Sequence, residues 1–318
     1  MCRTLLCEAP RGPVLCRWSS HSEWYYRRSS VTCTSALSDL TKRRSNIDVD
    51  VVRGFGDEWS RFDQSALDPA EHERLWNNYF AIFPWHLLTP GSNGVDIGCG
   101  SGRWAQLVAP RVGTLECVDA SKEALEVARR NLDGLSNVSF THASVDAMPF
   151  PPGHFDFGYS LGVLHHVPDT QAGLIAATDC LKEGAPFLLY LYYAFDNRPR
   201  WFRALWKISE ALRYAISRAP LPVRYVFTQL CAALIYWPIA RLAAVVERFG
   251  MSVASFPLST YRNLSFYTMR TDALDRLGTR LEQRFTRIEI EAMMHNASLR
   301  DVVFSEGPIY WVATGIRL

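Results

Sequence analysis

The sequence predicts an α/β fold built on a mostly parallel sheet, because short apolar runs alternate with amphipathic stretches from residue 94 onward. The clearest example is residues 94–104, GVDIGCGSGRW, where an apolar run ends in an acid and then passes through alternating glycines. An amphipathic stretch, residues 103–112, follows. This order indicates strand, tight turn and helix, since glycine permits positive φ and lets a ligand approach bare backbone. The start of such a helix presents unpaired N–H groups, which favour an anionic group.

The composition is that of an ordinary globular protein. The chain has 318 residues, of which 48% are hydrophobic and 21% are charged, with a formal net charge of +2. That length suits one large domain or a core domain with an insertion. The near-neutral charge argues against broad nucleic-acid binding, so we expect no nucleic-acid partner. The eight cysteines form no C-x-x-C pair, so we predict neither a metal site nor a redox motif.

Two kinds of nucleotide ligand could use the glycine turn. A dinucleotide-binding turn has the pattern G-x-G-x-x-G, but here the third glycine falls one place early, at Gly102. The acid Asp96, just before the turn, would also face the pyrophosphate of a dinucleotide, and two negative groups fit badly there. S-adenosylmethionine fits better, because its carboxylate suits a helix N-terminus and its ammonium suits an acid at the strand end.

On Asp96, Gly98, Gly100 and Gly102 the chain resembles the class I S-adenosylmethionine-dependent methyltransferases, and in particular those with a core like that of the ubiquinone and menaquinone methyltransferases. The resemblance covers residues 94–195 and, more loosely, the end of the chain. It implies a Rossmann-like sheet of seven strands, mostly parallel with an antiparallel last strand. It also implies S-adenosyl-L-methionine as the cofactor.

The remaining patterns predict the other elements of that fold and a division into segments. We predict strands at 114–119, 138–143, 154–161, 186–195, 299–305 and 309–316, and helices at 122–132, 169–182 and 286–294. Four segments follow from these positions: a disordered extension (1–47), a helical segment covering the cofactor (48–90), the core (91–195 and 285–318) and a helical cap insertion (196–284).

The extension is rich in Arg and Ser and poor in acids, which is also typical of a mitochondrial transit peptide. No clear amphipathic helix emerges there, so a disordered tail is favoured and we expect a cytoplasmic protein.

The candidate cofactor-binding residues follow the strand ends. Asp119 lies roughly 20 residues past Gly98, the separation at which a carboxylate meets ribose hydroxyls one strand over. In the resembling family the loop at residues 144–146 lines the adenine. The full set is Asp96, Gly98, Cys99, Gly100, Gly102, Asp119, Ala120, Ser144, Val145, Asp146, Ser160 and Leu161.

The candidates for catalysis and acceptor binding come from loops and from the cap. His165 and His166 follow the fourth strand, and imidazole titrates near neutrality, so at most one of them is expected to be a general base. The alternative is that both brace the loop. The candidate acceptor contacts are Trp59, Arg61, Tyr193, Asp196, Tyr261 and Arg280.

We therefore expect methyl transfer to a small-molecule acceptor, with the methylated atom and the oligomeric state left open. Three alternatives remain: a lipid-like acceptor at a membrane surface, an NAD(P)-dependent oxidoreductase, and a non-catalytic S-adenosylmethionine-binding protein. The apolar segment 225–240 is too short to span a bilayer, and the cap helices contain Pro220, Pro222 and Pro238. Membrane association is for this reason possible but not favoured, and the expected protein is soluble.

Overall fold

The computed structural model describes residues 45–307 and 311–318, which fall within one compact unit, Ser45–Leu318. The predictions of a disordered tail or transit peptide for residues 1–44, and of strand at 309–310, lie outside the described residues. Asn46, inside the predicted extension, is buried, and its side-chain amide donates to the carbonyl oxygen of Asp169 at 2.8 Å.

The sheet has seven strands in the order β3-β2-β1-β4-β5-β7-β6. β1, β2, β4 and β5 are joined by parallel pairings, as are β2 and β3, whereas β7 is antiparallel to both β5 and β6. The predicted fold class is confirmed. The strands are β1 (Asn93–Ile97), β2 (Thr114–Asp119), β3 (Val138–His142), β4 (Phe157–Leu161), β5 (Pro186–Tyr190), β6 (Leu299–Phe304) and β7 (Val312–Arg317).

Helices cover both faces of this sheet and form the cap. They are α1 (Val49–Arg61), α2 (Pro69–Tyr79), α3 (Ala105–Val108), α4 (Lys122–Asn131), α5 (Thr170–Asp179), α6 (Arg200–Ile216), α7 (Leu221–Cys231), α8 (Trp237–Arg248), α9 (Phe266–Gly278) and α10 (Arg287–Asn296). The predicted helix at 103–112 is shorter than expected, because Pro110 has no N–H to donate and the chain continues as a 3₁₀ turn, Ala109–Arg111.

The central strands are buried on both faces, as their near-continuous apolar sequences require. Every residue of β4 and β5 is buried. β5 ends at Tyr190, earlier than the predicted residue 195, because its pairings with β4 and β7 both stop there. The chain then leaves the sheet, and the backbones of Tyr192 and Ala194 bond to that of Phe285 on the way to the cap.

The cap is a layer of helices over the carboxyl end of β5. α7 and α8 run on as one helix, since a π-helical turn at Ala232–Tyr236 accommodates Pro238 without ending it. One side of this helix packs on Tyr261 and Met269. The continuous stretch Leu221–Arg248 contains an 18-residue window of mean hydropathy 1.6 and is long and apolar enough to cross a bilayer by length and composition alone. The sequence predicted an apolar segment, 225–240, too short to span a bilayer, and this length is wrong. The helix is longer because the prolines do not interrupt it.

Candidate functional site

The glycine turn after β1 forms the floor of a pocket at the carboxyl end of the sheet. Gly98, Gly100 and Gly102 all have positive φ, at 78°, 55° and 77°. A Cβ atom on Gly100 would come within 2.9 Å of the Trp59 ring, in the pocket itself. A Cβ atom on Gly102 would instead meet Leu132 at 2.8 Å. Gly100 therefore keeps the pocket open, whereas Gly102 allows close packing of α4.

Asp119, at the end of β2, joins the turn to the neighbouring strand. One carboxylate oxygen accepts from the N–H of Gly100 at 2.9 Å and the other from the N–H of Ser121 at 2.8 Å. Burial raises the pKa of this carboxyl group above its usual value. Asp119 and Ala120 both line the pocket, so the ribose position predicted for Asp119 is open to a ligand.

Asp96 lies beneath the turn and is not among the residues that line the pocket. Its side chain is 1% exposed, and its Oδ2 atom has no hydrogen-bond partner among the described residues. Burial raises its pKa to about 8. Burial of this kind favours the neutral form of a carboxyl group until a positive charge approaches it.

The loops after β3 and β4 complete the pocket wall. Cys99, Ser144, Val145 and Leu161 line the pocket along with Gly98. Asp146 is not among the lining residues, and its carboxylate accepts from the backbone N–H of Asn46 at 2.9 Å. The hydroxyl of Ser160 is fully buried and donates to the carbonyl oxygen of Ile97 at 3.0 Å. Both of these residues support the wall without lining it.

Helix α1 covers the pocket, and beside the predicted Trp59 it brings in Phe55 and Glu58, which the sequence did not single out as site residues. Phe55, Glu58 and Trp59 line the pocket from this helix. Burial raises the pKa of Glu58 well above its usual value, and Asp275 adds to the shift. Glu58 belongs to the aromatic and charged stretch 55–62, and this composition could have indicated from the sequence that Glu58 is a site residue.

The two neighbouring histidines occupy different environments. His165 is completely buried and stacks on Tyr192 with ring centroids 4.0 Å apart, and burial lowers its pKa well below the usual value. His166 lines the pocket. Its Nδ1 atom lies 2.7 Å from the carbonyl oxygen of Leu281, and its Nε2 atom lies 3.7 Å from a carboxylate oxygen of Asp275. Only His166 of the pair reaches the pocket.

Helix α9 supplies the charged wall opposite the histidine. Asp272, Asp275 and Arg276 project from one face, since positions three and four apart adjoin on a helix. Tyr192 donates a hydrogen bond to Asp275, and burial raises the pKa of that carboxyl group. No local signal marks these three residues, because they belong to the cap insertion and reach the pocket only through packing.

A second cavity of about 590 Å³ adjoins the pocket. The two share four lining residues, Tyr79, Tyr190, Asp272 and Arg276. Most of the remaining lining is aromatic or aliphatic and comes from α6, the π-helical turn and residues 256–264; examples are Phe202, Leu205, Trp206, Ile235, Tyr236 and Leu258.

Of the predicted acceptor contacts, three line a cavity and three do not. Trp59 lines the pocket, while Tyr193 and Tyr261 line the second cavity, where the Tyr261 hydroxyl donates to Asp272 at 2.8 Å. The other three form surface contacts in the described structure: Arg61 pairs with Asp57, Arg280 with Asp50, and Asp196 accepts from the Trp311 indole N–H. These partners hold their side chains away from both cavities.

The pocket residues fit S-adenosylmethionine. The Gly100 cradle leaves room that a Cβ atom would fill, the Ser101 hydroxyl is buried without a partner, and Asp119 stands at the strand end. Among the residues that the structure describes, no group of three or more His, Cys, Asp or Glu could hold a metal ion.

Comparisons with known proteins find methyltransferases among the similar sequences. The sequence profile described as "Methyltransferase domain" matches residues 95–184. An uncharacterized methyltransferase of Bacillus subtilis (strain 168) is 34% identical over 105 residues, 32% of this chain and 42% of that protein. A ubiquinone biosynthesis O-methyltransferase of Xanthomonas euvesicatoria pv. vesicatoria is 31% identical over 147 residues, 41% of this chain and 62% of that protein. The chain thus spans about half the length of these relatives.

A solved structure, a SAM-dependent methyltransferase of Aquifex aeolicus, is 13% identical with a TM-score of 0.41, covering 78% of this chain and 96% of that chain. The profile match and the relatives support a class I S-adenosylmethionine-dependent methyltransferase core over residues 95–184. The same comparisons support methyl transfer with S-adenosylmethionine as the cofactor. The oxidoreductase and non-catalytic alternatives are not favoured.

Proposed function

We propose that this protein methylates a small molecule whose body is largely apolar and whose reacting atom lies at the junction of the two cavities. The observation behind this proposal is the apolar cavity of about 590 Å³, which shares Tyr190, Asp272 and Arg276 with the cofactor pocket. Ligand sites of this size are lined mainly by apolar side chains with a few polar groups that fix orientation. Tyr79, Asp272 and Arg276 supply those groups.

The cofactor supplies a methyl group already activated on a sulfonium, so the protein has to align the acceptor and exclude water. We assign Asp119 to the ribose hydroxyls and the backbone around Gly100 to the amino-acid end. Trp59 and Phe55 close the pocket from α1 and keep solvent out.

His166 is positioned to take the acceptor's proton. A carbonyl oxygen only accepts, so the contact of Nδ1 with Leu281 places the ring proton on Nδ1. The lone pair of the neutral ring is then on Nε2, which has no hydrogen-bond partner among the described residues. Once Nε2 takes a proton, the imidazolium faces the Asp275 carboxylate 3.7 Å away, and that charge stabilises it. His165 is assigned a packing role.

The experiment is transfer of a labelled methyl group from S-adenosylmethionine to two fractions of one cell extract, a water-soluble fraction and a detergent-dispersed lipid fraction. Label in the lipid fraction is the expected result. Label in the water-soluble fraction alone would contradict an apolar acceptor. Binding of S-adenosylhomocysteine without label in either fraction would contradict methyl transfer to any acceptor in the extract.

The base is tested with His166→Gln, which should lower the transfer rate about a hundredfold or more while leaving S-adenosylhomocysteine affinity unchanged. The matched control is His295→Gln, since His295 is exposed at the end of α10 and lines neither cavity. Equal rates for the two variants would remove His166 from the base role.

A further inference from the structure

The outer surface of the cap is unusually apolar. Fifteen large hydrophobic side chains between residues 201 and 251 are exposed, out of 22 such side chains in the described structure. Along α7 and α8 they recur every three to five residues, on the side opposite the buried Tyr236 and Ala240; examples are Val226, Leu230, Leu234, Trp237 and Phe249. A soluble helix normally turns polar residues outward, so this face lacks its expected partner.

Helix α6 also exposes apolar side chains to solvent. None of its 17 residues is buried. Trp201, Leu205, Ile208 and Leu212 form one exposed apolar stripe at helical spacing, and the exposed basic residues Arg200, Arg203 and Lys207 form another. An apolar stripe beside a basic one is typical of a helix that lies in a membrane interface.

Charge distinguishes the possible partners of this surface. Residues 198–250 contain nine Arg or Lys, of which Arg200, Arg203, Lys207, Arg218 and Arg248 are exposed, and two acids, Glu210 and Glu247. Both acids are already ion-paired with arginines, Glu210 with Arg213 and Glu247 with Arg262. A second copy of this chain would bring like charges together across a two-fold interface, whereas an anionic lipid surface complements them.

The apolar surface is also continuous with the second cavity. Leu205, Ile208, Leu212 and Ile235 line the cavity and are 47, 70, 41 and 44% exposed. These residues thus form a mouth that opens onto the exposed face, so a molecule dissolved in a bilayer could enter the cavity without crossing water.

We propose that the outward face of α6, α7 and α8 docks on an anionic membrane surface, and that the apolar acceptor enters the second cavity from that membrane. The entry step rests on the proposed function; the docking does not. α7 and α8 lie in the interface and do not span it, because their other side packs on the protein: Arg241 donates to the carbonyl oxygens of Arg262 and Leu264 at 2.8 and 2.9 Å. The long apolar helix formed by α7 and α8 thus contacts the membrane with one face and does not cross it.

The test is flotation of the full chain with vesicles of equal parts phosphatidylcholine and phosphatidylglycerol at physiological salt, compared with phosphatidylcholine alone. The variant combines Val226→Ser, Leu234→Ser and Phe249→Ser, none of which lines a cavity. We expect it to bind the mixed vesicles about tenfold more weakly or worse. The control combines Ile288→Ser, Val303→Ser and Leu318→Ser, which are equally exposed elsewhere, and should float like the unmodified protein.

Calorimetry with S-adenosylhomocysteine verifies that both variants are folded. Absence of flotation by the unmodified chain, or equal flotation of the two variants, would overturn the proposal. A dimer that the first variant splits, with no vesicle binding, would assign the face to a second copy and overturn it as well. Transfer to detergent-dispersed lipid is measured separately, so failure of docking and failure of the proposed activity are distinguishable.

Discussion

The cofactor pocket and the acceptor cavity are neighbours with walls of different kinds. The floor of the pocket is backbone at strand ends, including Gly98, Gly100 and Ala120, and the carboxylate of Asp119 bonds to two backbone N–H groups there. The cavity is built from side chains of helices in the cap, most of them aromatic or aliphatic.

This difference should set how each site responds to change. A backbone wall has one conformation, so a side chain added to it has no way to move aside. A wall of long apolar side chains can repack, and single changes there cost the modest free energy of a small core substitution. The cofactor site should be intolerant and the acceptor site adaptable.

The largest expected effect is that of Gly100→Val. Its Cβ would lie 2.9 Å from Trp59 at a positive φ that a branched residue resists, so S-adenosylhomocysteine binding should fall about a hundredfold or more by calorimetry. Gly91→Val is the matched control, because a Cβ there meets nothing closer than 4.0 Å. Ile239→Val in the cavity wall should leave cofactor affinity unchanged and lower stability by about 1 kcal/mol. Equal cofactor affinities for Gly100→Val and Ile239→Val would contradict the expected intolerance of the glycine turn to an added side chain.

A second prediction uses the pKa of Asp96, which burial raises to about 8. A group whose pKa is raised on folding stabilises the fold at low pH, and that stability is lost as pH rises through the folded value. The free energy of unfolding of the ligand-free protein should therefore fall by about 2–3 kcal/mol between pH 6 and 9 through this group. Asp96→Asn should remove that slope in denaturant titrations.

The control for this slope is Asp156→Asn. Burial alone would raise the pKa of Asp156. The N–H of Asn93 and the ammonium of Lys182 nevertheless hold that pKa below its usual value. Its charge is constant over that pH range, so the slope should persist. A slope unchanged in Asp96→Asn would show that Asp96 is already ionised in the folded protein.

The smallest expected effect is that of Asp119→Ala, which should weaken S-adenosylhomocysteine binding by about 1–3 kcal/mol through loss of charged hydrogen bonds. Asp133→Ala, at an exposed position outside the pocket, should change nothing. Unchanged affinity in both variants would remove Asp119 from the ribose role and weaken the contrast between the two sites.

The core was predictable because its signals are local. The glycine turn and the apolar strands each depend on neighbours in the chain, and the resemblance that the glycine turn carries implied the seven-stranded sheet that the structure has. Strand lengths were less predictable, as β5 shows: where Tyr190 ends its pairing depends on β4 and β7, which are distant in sequence.

By itself, the sequence determined the α/β core, the glycine turn and the preference for S-adenosylmethionine, because φ at a glycine and a carboxylate at a strand end are properties of short segments. Tertiary structure alone decided that His166 and not His165 faces the pocket, since adjacent residues point in directions set by packing. It also decided which apolar residues of the cap are buried. The same aliphatic and aromatic residues serve a core, a cavity or an exposed surface, and only their partners in space distinguish these roles.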